Sequence, residues 1–243
     1  MDNIATGDAL HVLPHTPSSV RAAIGEAMQS TAATSKRSRV RRGEVVAVIG
    51  GSLVLAGTWV AVAVNHGVPT WEQDIFERVN DLPNALWRPV WVPMELGSLV
   101  GSLVVVAVTF LVTRQRRLTL AALAASQLAY WSAKLIKGLV ARGRPATLLA
   151  DVRIRERASG VGYVSGHTAV AFALATVLAP SLPRPWRPVA FALATLVAFA
   201  RVYSGAHLPL DVVGGAGLGV LSGTLMRWAF GLGGEGLPVR VRG

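Results

Sequence analysis

Long apolar stretches separated by short, arginine-rich polar ones fill this chain from about residue 43 to residue 232. A hydrocarbon core about 30 Å thick is crossed by roughly 20 mainly apolar helical residues, with about 17 to 25 tolerated. Six stretches meet or approach that length: 45–64, 96–112, 118–139, 163–182, 188–203 and 208–230. The pattern predicts an all-α, polytopic membrane protein with six transmembrane helices. Between the first two lies 71–91, where Ile75, Val79 and Leu82 recur at helical spacing among Glu72, Asp74, Glu77 and Asp81. That spacing predicts a short amphipathic helix at the interface, anchored by Trp71, Trp87 and Trp91 at headgroup level.

The flanks are different. Residues 1–42 hold no apolar run, are rich in Ser, Thr and Ala, and end in Lys36-Arg37-Ser38-Arg39-Val40-Arg41-Arg42. They read as a disordered, basic cytoplasmic tail. The helical spacing of Val20, Ala23, Ile24, Ala27 and Met28 offers a membrane-surface helix as the alternative. Residues 43–232 form the membrane domain and 233–243 a C-terminal cytoplasmic tail. The first long apolar stretch comes too late to be a secretory signal and reads as a permanent span.

Composition agrees. A chain 52% hydrophobic and 15% charged falls short of the roughly 25% charge usual in soluble domains. The absence of cysteine excludes disulfide frameworks, thiolate zinc sites and cysteine nucleophiles. A net charge of +11 would suggest nucleic acid as the partner of a soluble chain, but here it serves orientation. If the spans alternate, the side holding both termini carries 14 basic against 5 acidic residues, and the other side ten against eight. The division, +9 against +2, puts the termini in the cytoplasm of a cell with this chain in its inner (plasma) membrane. Ten basic residues on the outer side are more than orientation favours.

Three segments arrive at that outer side: Lys137 to Arg144-Pro145, Tyr163-Val164-Ser165-Gly166-His167, and Arg201 to His207 and Asp211. Ionisable groups at membrane depth cost about 2.5–3.5 kcal/mol each even on lenient scales, so they are candidates for function. Lys137, Arg144 and Arg201 at three span ends suit a multiply charged anion, and the arginine fork matches phosphate oxygens. Ser165-Gly166, opening a helix, adds backbone N–H donors at its positive end. His207 and Asp211, four apart on a helix beginning near Pro209, suit a carboxylate that holds Nδ1–H and leaves Nε2 free as a nucleophile. His167, on another helix start, suits a proton donor. Arg142, Arg153, Arg155 and Arg157 on the adjoining loop read first as headgroup-facing side chains. The run Gly214, Gly215, Gly217 and Gly219 reads as close helix packing.

These blocks resemble the type-2 phosphatidic acid phosphatase superfamily of lipid phosphate phosphatases, whose pattern is K-x6-R-P, P-S-G-H and S-R-x5-H-x3-D. Lys137, Arg144 and Pro145 fit the first block. Val164 stands where the second usually has proline, and Ala200 where the third has serine. The resemblance implies that His207 attacks phosphorus to give a phosphohistidine, Asp211 orients it and His167 protonates the departing lipid oxygen. Lys137, Arg144, Arg201, Ser165 and the Gly166 amide would hold the phosphoryl oxygens, with no metal and no cofactor. The expected partners are a phosphorylated lipid and the bilayer, with the site facing the periplasm or exterior. The loop arginines, if they meet a second phosphate, favour a polyprenyl pyrophosphate. Phosphatidate, phosphatidylglycerol phosphate or a prenyl-phosphosugar as substrate, lipid phosphotransfer, and a catalytically silent lipid-phosphate binder are the alternatives.

Overall fold

The computed structural model describes residues 17–65 and 67–233. The chain divides into two units, Met1–Arg39 and Val40–Gly243, of which the second carries the architecture below. Among the described residues every regular element is helical: α1 Pro17–Val64, α2 Thr70–Asn80, α3 Trp87–Met94, α4 Leu99–Thr113, α5 Arg116–Val140, α6 Pro145–Leu148, α7 Gly166–Leu178, α8 Arg187–Tyr203 and α9 Pro209–Ala229. Short 3-10 turns lie at Asn84–Leu86, Glu95–Gly97, Ala179–Ser181 and Arg184–Trp186.

Two expectations change. Residues 17–42 are helical where the sequence suggests a disordered tail. Pro17 stands first in the helix, where its missing N–H costs little, and the alanine-rich stretch after it contains no second proline. Residues 1–16 and the tail from 234 lie outside the described residues. The stretch 71–91 is two helices, not one. Pro83 lacks an N–H and disfavours helical backbone at Leu82, so α2 ends at Asn80 and α3 starts at Trp87. The three expected tryptophan anchors are divided, Trp71 on α2 and Trp87 and Trp91 on α3. α3 buries Val90 and Met94 with Ala200 and Tyr203 of α8, and the chain then bends by 71° into α4. Ser98 caps α4 by accepting the Gly101 N–H at 2.9 Å.

Residues 42–64 of α1 and all of α9 are long and apolar enough to cross a membrane, and 84–113 is a third crossing if the bent pair is one span. The helix of 166–181 is apolar but shorter, and α5 carries Arg116, Arg117, Lys134 and Lys137. Among the described residues, length and apolarity therefore account for two or three crossings, short of the six read from the sequence. Large apolar side chains point outward along α1, α4 and α5, among them Leu53, Leu111 and Leu135. That is the surface a helix presents to lipid and not to water.

The main core joins α5, α7 and α9. Ala121, Ala122, Ala125, Ala129 and Ala133 form a buried stripe along α5. Along α9, Gly214 and Gly217 face α1, while Gly215, Gly219 and Gly223 face α7. A methyl group on Gly215 would stand 2.6 Å from the Ser165 carbonyl, and one on Gly223 2.6 Å from Thr176 Cβ. Small residues let the two backbones touch, which brings the start of α7 to the start of α9. At the opposite end, Glu44 of α1 accepts from Trp228 Nε1 at 2.9 Å and pairs with buried Arg227 at 3.4 Å.

The glycine contact generates a test. Gly215→Ala must push helix backbones apart, and overpacking of this kind costs about 1–3 kcal/mol. Gly57→Ala meets nothing within 4 Å and gains up to about 1 kcal/mol of helix propensity. Thermal unfolding in detergent should place the first variant well below the parent and the second at or above it.

Candidate active site

The structure brings all eight sequence-predicted residues to one end of the α5, α7 and α9 core. Ala141 ends α5 in a left-handed conformation, φ 50°, and turns the chain so that Lys137 stays on the helix while Arg142 and Arg144 follow on the turn. Lys137 Nζ donates to the carbonyls of Val161 and Gly162 at 3.0 and 2.8 Å. Arg144 donates to Ser159 O, Gly160 O and Ala206 O at 2.7–3.1 Å. Both cations thus tie the 149–165 loop to the helix ends as well as facing the site.

Buried Ser165 stands at the N-cap position of α7 with extended backbone and no capping bond from its side chain. Its N–H donates to the Asp211 backbone carbonyl at 2.9 Å, and its hydroxyl accepts from Thr168 at 3.0 Å. Gly166 and His167 are the first two residues of α7, so their amides belong to the positive helix end. The 3-10 turn before α4 lies against them: a methyl on Gly97 would meet the His167 carbonyl at 2.5 Å.

The α8–α9 turn holds the third block. The N–H groups of Ala206 and His207 both donate to Arg201 O, at 3.2 and 3.1 Å, which folds the turn back over the end of α8. His207 is 2% exposed and Asp211 fully buried. Asp211 Oδ2 accepts the Leu208 N–H at 3.0 Å as a helix cap and lies 3.4 Å from His207 Nδ1. The pair is together, at the long end of hydrogen-bond range. Arg201, 3% exposed, donates through Nη1 to Glu156 at 2.5 Å, and its buried Nε has no hydrogen-bond partner.

His207 lies in the turn between two helices. Burial first, then the positive charges of Lys137, Arg201 and Arg144, push its imidazole well below the ordinary histidine range, against the opposing pull of the Gly162 carbonyl. The ring is neutral at physiological pH, as a nucleophile requires.

Two residues absent from the sequence-level site belong to it. Arg142 is 8% exposed, not a headgroup-facing side chain. Its Nη1 and Nη2 donate to Glu72 Oε1 and Oε2 at 3.1 and 2.6 Å, and Nη1 also donates to Asp211 Oδ1 at 3.0 Å. Glu72, on α2 and fully buried, also accepts the Leu210 N–H at 2.8 Å. No periodicity links residues about 70 positions apart. The only sequence signal was a carboxylate on a helix read as interfacial and one arginine more than the motif needs.

Arg153 and Arg155 also differ from expectation. Arg155 donates to Asn80 O, Leu82 O, Tyr203 O and the Asn84 side chain at 2.6–3.0 Å, with its guanidinium 4.0 Å from the Tyr203 ring centre. Arg153 donates to Asp81 O at 2.8 Å. They fasten the loop to the α2–α3 turn. Of the three, exposed Arg157 has no such tie among the described residues. Val164 and Ala200, the two departures from the motif, are both buried in apolar clusters. Among the described residues no three His, Cys, Asp or Glu gather as a metal-holding group.

The state of His207 can be checked through stability. Above about pH 6.5 folded and unfolded chains both carry this ring neutral; below it only the unfolded chain takes the proton, so stability falls on acidification by up to about 1.4 kcal/mol per pH unit. His207→Gln should flatten that acid slope, and the folded protein's His207 resonances should remain those of a neutral ring at pH 5.5. A titration midpoint at 6.5 or above would contradict the arrangement.

The chain is similar to known proteins over part of its length. Residues 116–232, which contain all three blocks, match the PAP2 superfamily. A stretch of 69 residues is 41% identical to a lipid A 1-phosphatase of Porphyromonas gingivalis, covering 27% of this chain and 16% of that protein. The crystal structure of LpxE from Aquifex aeolicus superposes with a TM-score of 0.59 at 27% identity, over 63% of this chain and 93% of the other. That of a transmembrane PAP2-type phosphatidylglycerolphosphate phosphatase from Bacillus subtilis gives 0.66 at 21% identity, over 76% and 96%, a likeness of fold.

Proposed function

On the premise that residues 116–232 are a PAP2-superfamily domain, we propose that this chain is an integral membrane phosphatase that hydrolyses a phosphate group on a lipid. The observation that carries the reading is buried His207 beside Asp211, within the field of Lys137, Arg144 and Arg201 that holds its imidazole below the ordinary histidine range. His207 Nε2 attacks phosphorus while the bond to the lipid oxygen breaks, and His167 delivers a proton to that oxygen. The Nδ1 proton stays on the ring, held toward Asp211. Water then opens the phosphohistidine, leaves its proton with His167 and releases inorganic phosphate. Lys137, Arg144, Arg201 and the amides at the start of α7 neutralise the phosphoryl oxygens.

The reading needs neither cofactor nor metal. Asp211 and Glu72 both meet Arg142, and Glu156 meets Arg201, which leaves the cations to do what a metal ion would do. An apolar cavity of about 280 Å³ between α4, α7 and α8, lined by Ala171, Leu174, Leu193 and Val197 among others, begins one turn along α7 from His167. It suits part of a lipid tail. With Arg153 and Arg155 committed to the loop, a polyprenyl pyrophosphate keeps only Arg157 in its favour, and a phosphomonoester becomes the leading substrate. The similarity to a lipid A 1-phosphatase favours a phosphorylated glycolipid.

Purified protein should release phosphate from a panel of lipid A 1-phosphate, phosphatidylglycerol phosphate and polyprenyl pyrophosphate, undiminished by chelator and inhibited by vanadate. His207→Ala should lower the rate by at least about 10³-fold, the scale on which loss of a nucleophile is felt. Full activity in that variant would end the assignment.

The proposal includes six crossings, cytoplasmic termini and an outward-facing site, supported by the +9 and +2 charge division. A membrane-impermeant thiol reagent on intact cells should label Ser159→Cys and spare Ser38→Cys. The reverse would invert the topology.

A further inference from the structure

Asp211 has more to do than one carboxylate does alone. Its Oδ2 is divided between the cap of α9 and His207. Its Oδ1 would face the protein interior with no donor were it not for Arg142, and a buried carboxylate without a partner costs several kcal/mol. Arg142 makes no contact that suits a phosphate-binding role: its terminal nitrogens are spent on Glu72 and Asp211. Two parallel bonds to Glu72 fix the plane of the guanidinium, a geometry that lysine cannot reproduce. Glu72 is in turn fixed by the Leu210 N–H, which donates to the same Oε1 that meets Arg142 Nη1, and by its helix, whose Phe76 packs with Leu208 and Val212. The chain of contacts starts on α2, passes through the turn after α5 and closes on the first turn of α9, at Leu210 and Asp211.

We infer that Glu72 and Arg142 are positioning residues for the reaction. They hold the Asp211 carboxylate ionised and correctly turned, so that His207 keeps its proton on Nδ1 and presents Nε2 bare. The inference rests on the reading of His207 as nucleophile and Asp211 as its orienting partner. It makes α2, outside the matched family segment, a working part of the site. Buried Glu72, Arg142 and Asp211 sum to one negative charge behind the imidazole. That charge offsets the positive one the ring acquires when Nε2 bonds to phosphorus. The groups facing Asp211 are Arg142 and Arg144 from the turn after α5, Lys137 from α5, His207 from its own turn, Tyr163 from the loop before α7 and, beyond Arg142, Glu72 from α2.

The test uses the full chain in detergent and two readouts. The first is the tautomer of His207 by 15N-histidine spectroscopy, which needs no substrate. The parent should show the Nδ1–H form, and Arg142→Met and Glu72→Gln should shift it toward a mixture, as should Asp211→Asn. The second is kcat per folded enzyme, counted by vanadate titration, against the panel above. Arg142→Met should lose about 10- to 100-fold in kcat with KM within about threefold, and Arg142→Lys should recover part of it. Glu72→Gln keeps an acceptor for Leu210 N–H and for one arginine nitrogen, so it carries the test where Arg142→Met fails to fold. An unchanged tautomer in the variants, an unchanged kcat per folded molecule, or a raised KM with kcat intact would each overturn the inference, the last by making Arg142 a phosphate ligand. A shifted tautomer in a protein that hydrolyses no lipid phosphate would uphold the positioning and discard the proposed function.

Discussion

A carboxylate removed entirely from water sets the terms for the rest of this site. Asp211 is reached by every element that forms the active end of the core. Its side chain takes the Leu208 N–H and the Arg142 guanidinium and stands beside His207, while its backbone carbonyl takes the Ser165 N–H. Each bond removes some of the penalty of burying a charge. Together they fix the start of α9, the start of α7 and the turn after α5 relative to one another. The glycine face of α9 makes this possible, since a side chain at Gly215 would occupy the space of the Ser165 carbonyl.

The surplus of arginine finds its reason in backbone acceptors. Helix ends and the loops between them leave carbonyls that no helix ladder takes. Arg144 meets three such carbonyls on 159–160 and 206, and Arg155 meets three on 80, 82 and 203. Guanidinium groups suit this because they offer five donors in a plane. Counting charges along the sequence could not separate these structural arginines from those that face an anion, because the acceptors are backbone atoms and leave no mark on composition.

What the sequence made legible follows the same division. Contiguous signals are legible: the apolar runs of α1 and α9, the small-residue face of α9, and three motif blocks whose residues lie at one end of the core. The stretch 71–91 was read as one helix because periodicity survived across it, although Pro83 had already marked the break. The crossing count exceeded what helix length supports because α5 mixes a buried alanine stripe with four cations, and α4 reaches span length only by adding a bent partner. Glu72 and Arg142 were missed for a different reason. Their pairing joins residues 70 positions apart, and nothing local in either segment announces it.

Arg201 adds a last consequence of burial. A guanidinium 3% exposed needs an anion whether or not substrate is bound, and Glu156, on the loop that Arg153 and Arg155 fasten down, supplies it. On the proposed reaction an arriving phosphoryl group meets an arginine already oriented, whose Nε is still unpaired. The charges then fall into two groups around one ring. Glu72, Arg142 and Asp211 leave a net negative charge beside Nδ1, and Lys137, Arg144, Arg201 and Glu156 a net positive charge in the phosphate cradle. In a medium of low dielectric constant such a separation is felt strongly. The cations oppose protonation of His207 before reaction, and the negative group favours positive charge on the ring once phosphorus is bound to it, because the phosphoryl oxygens then offset the cations.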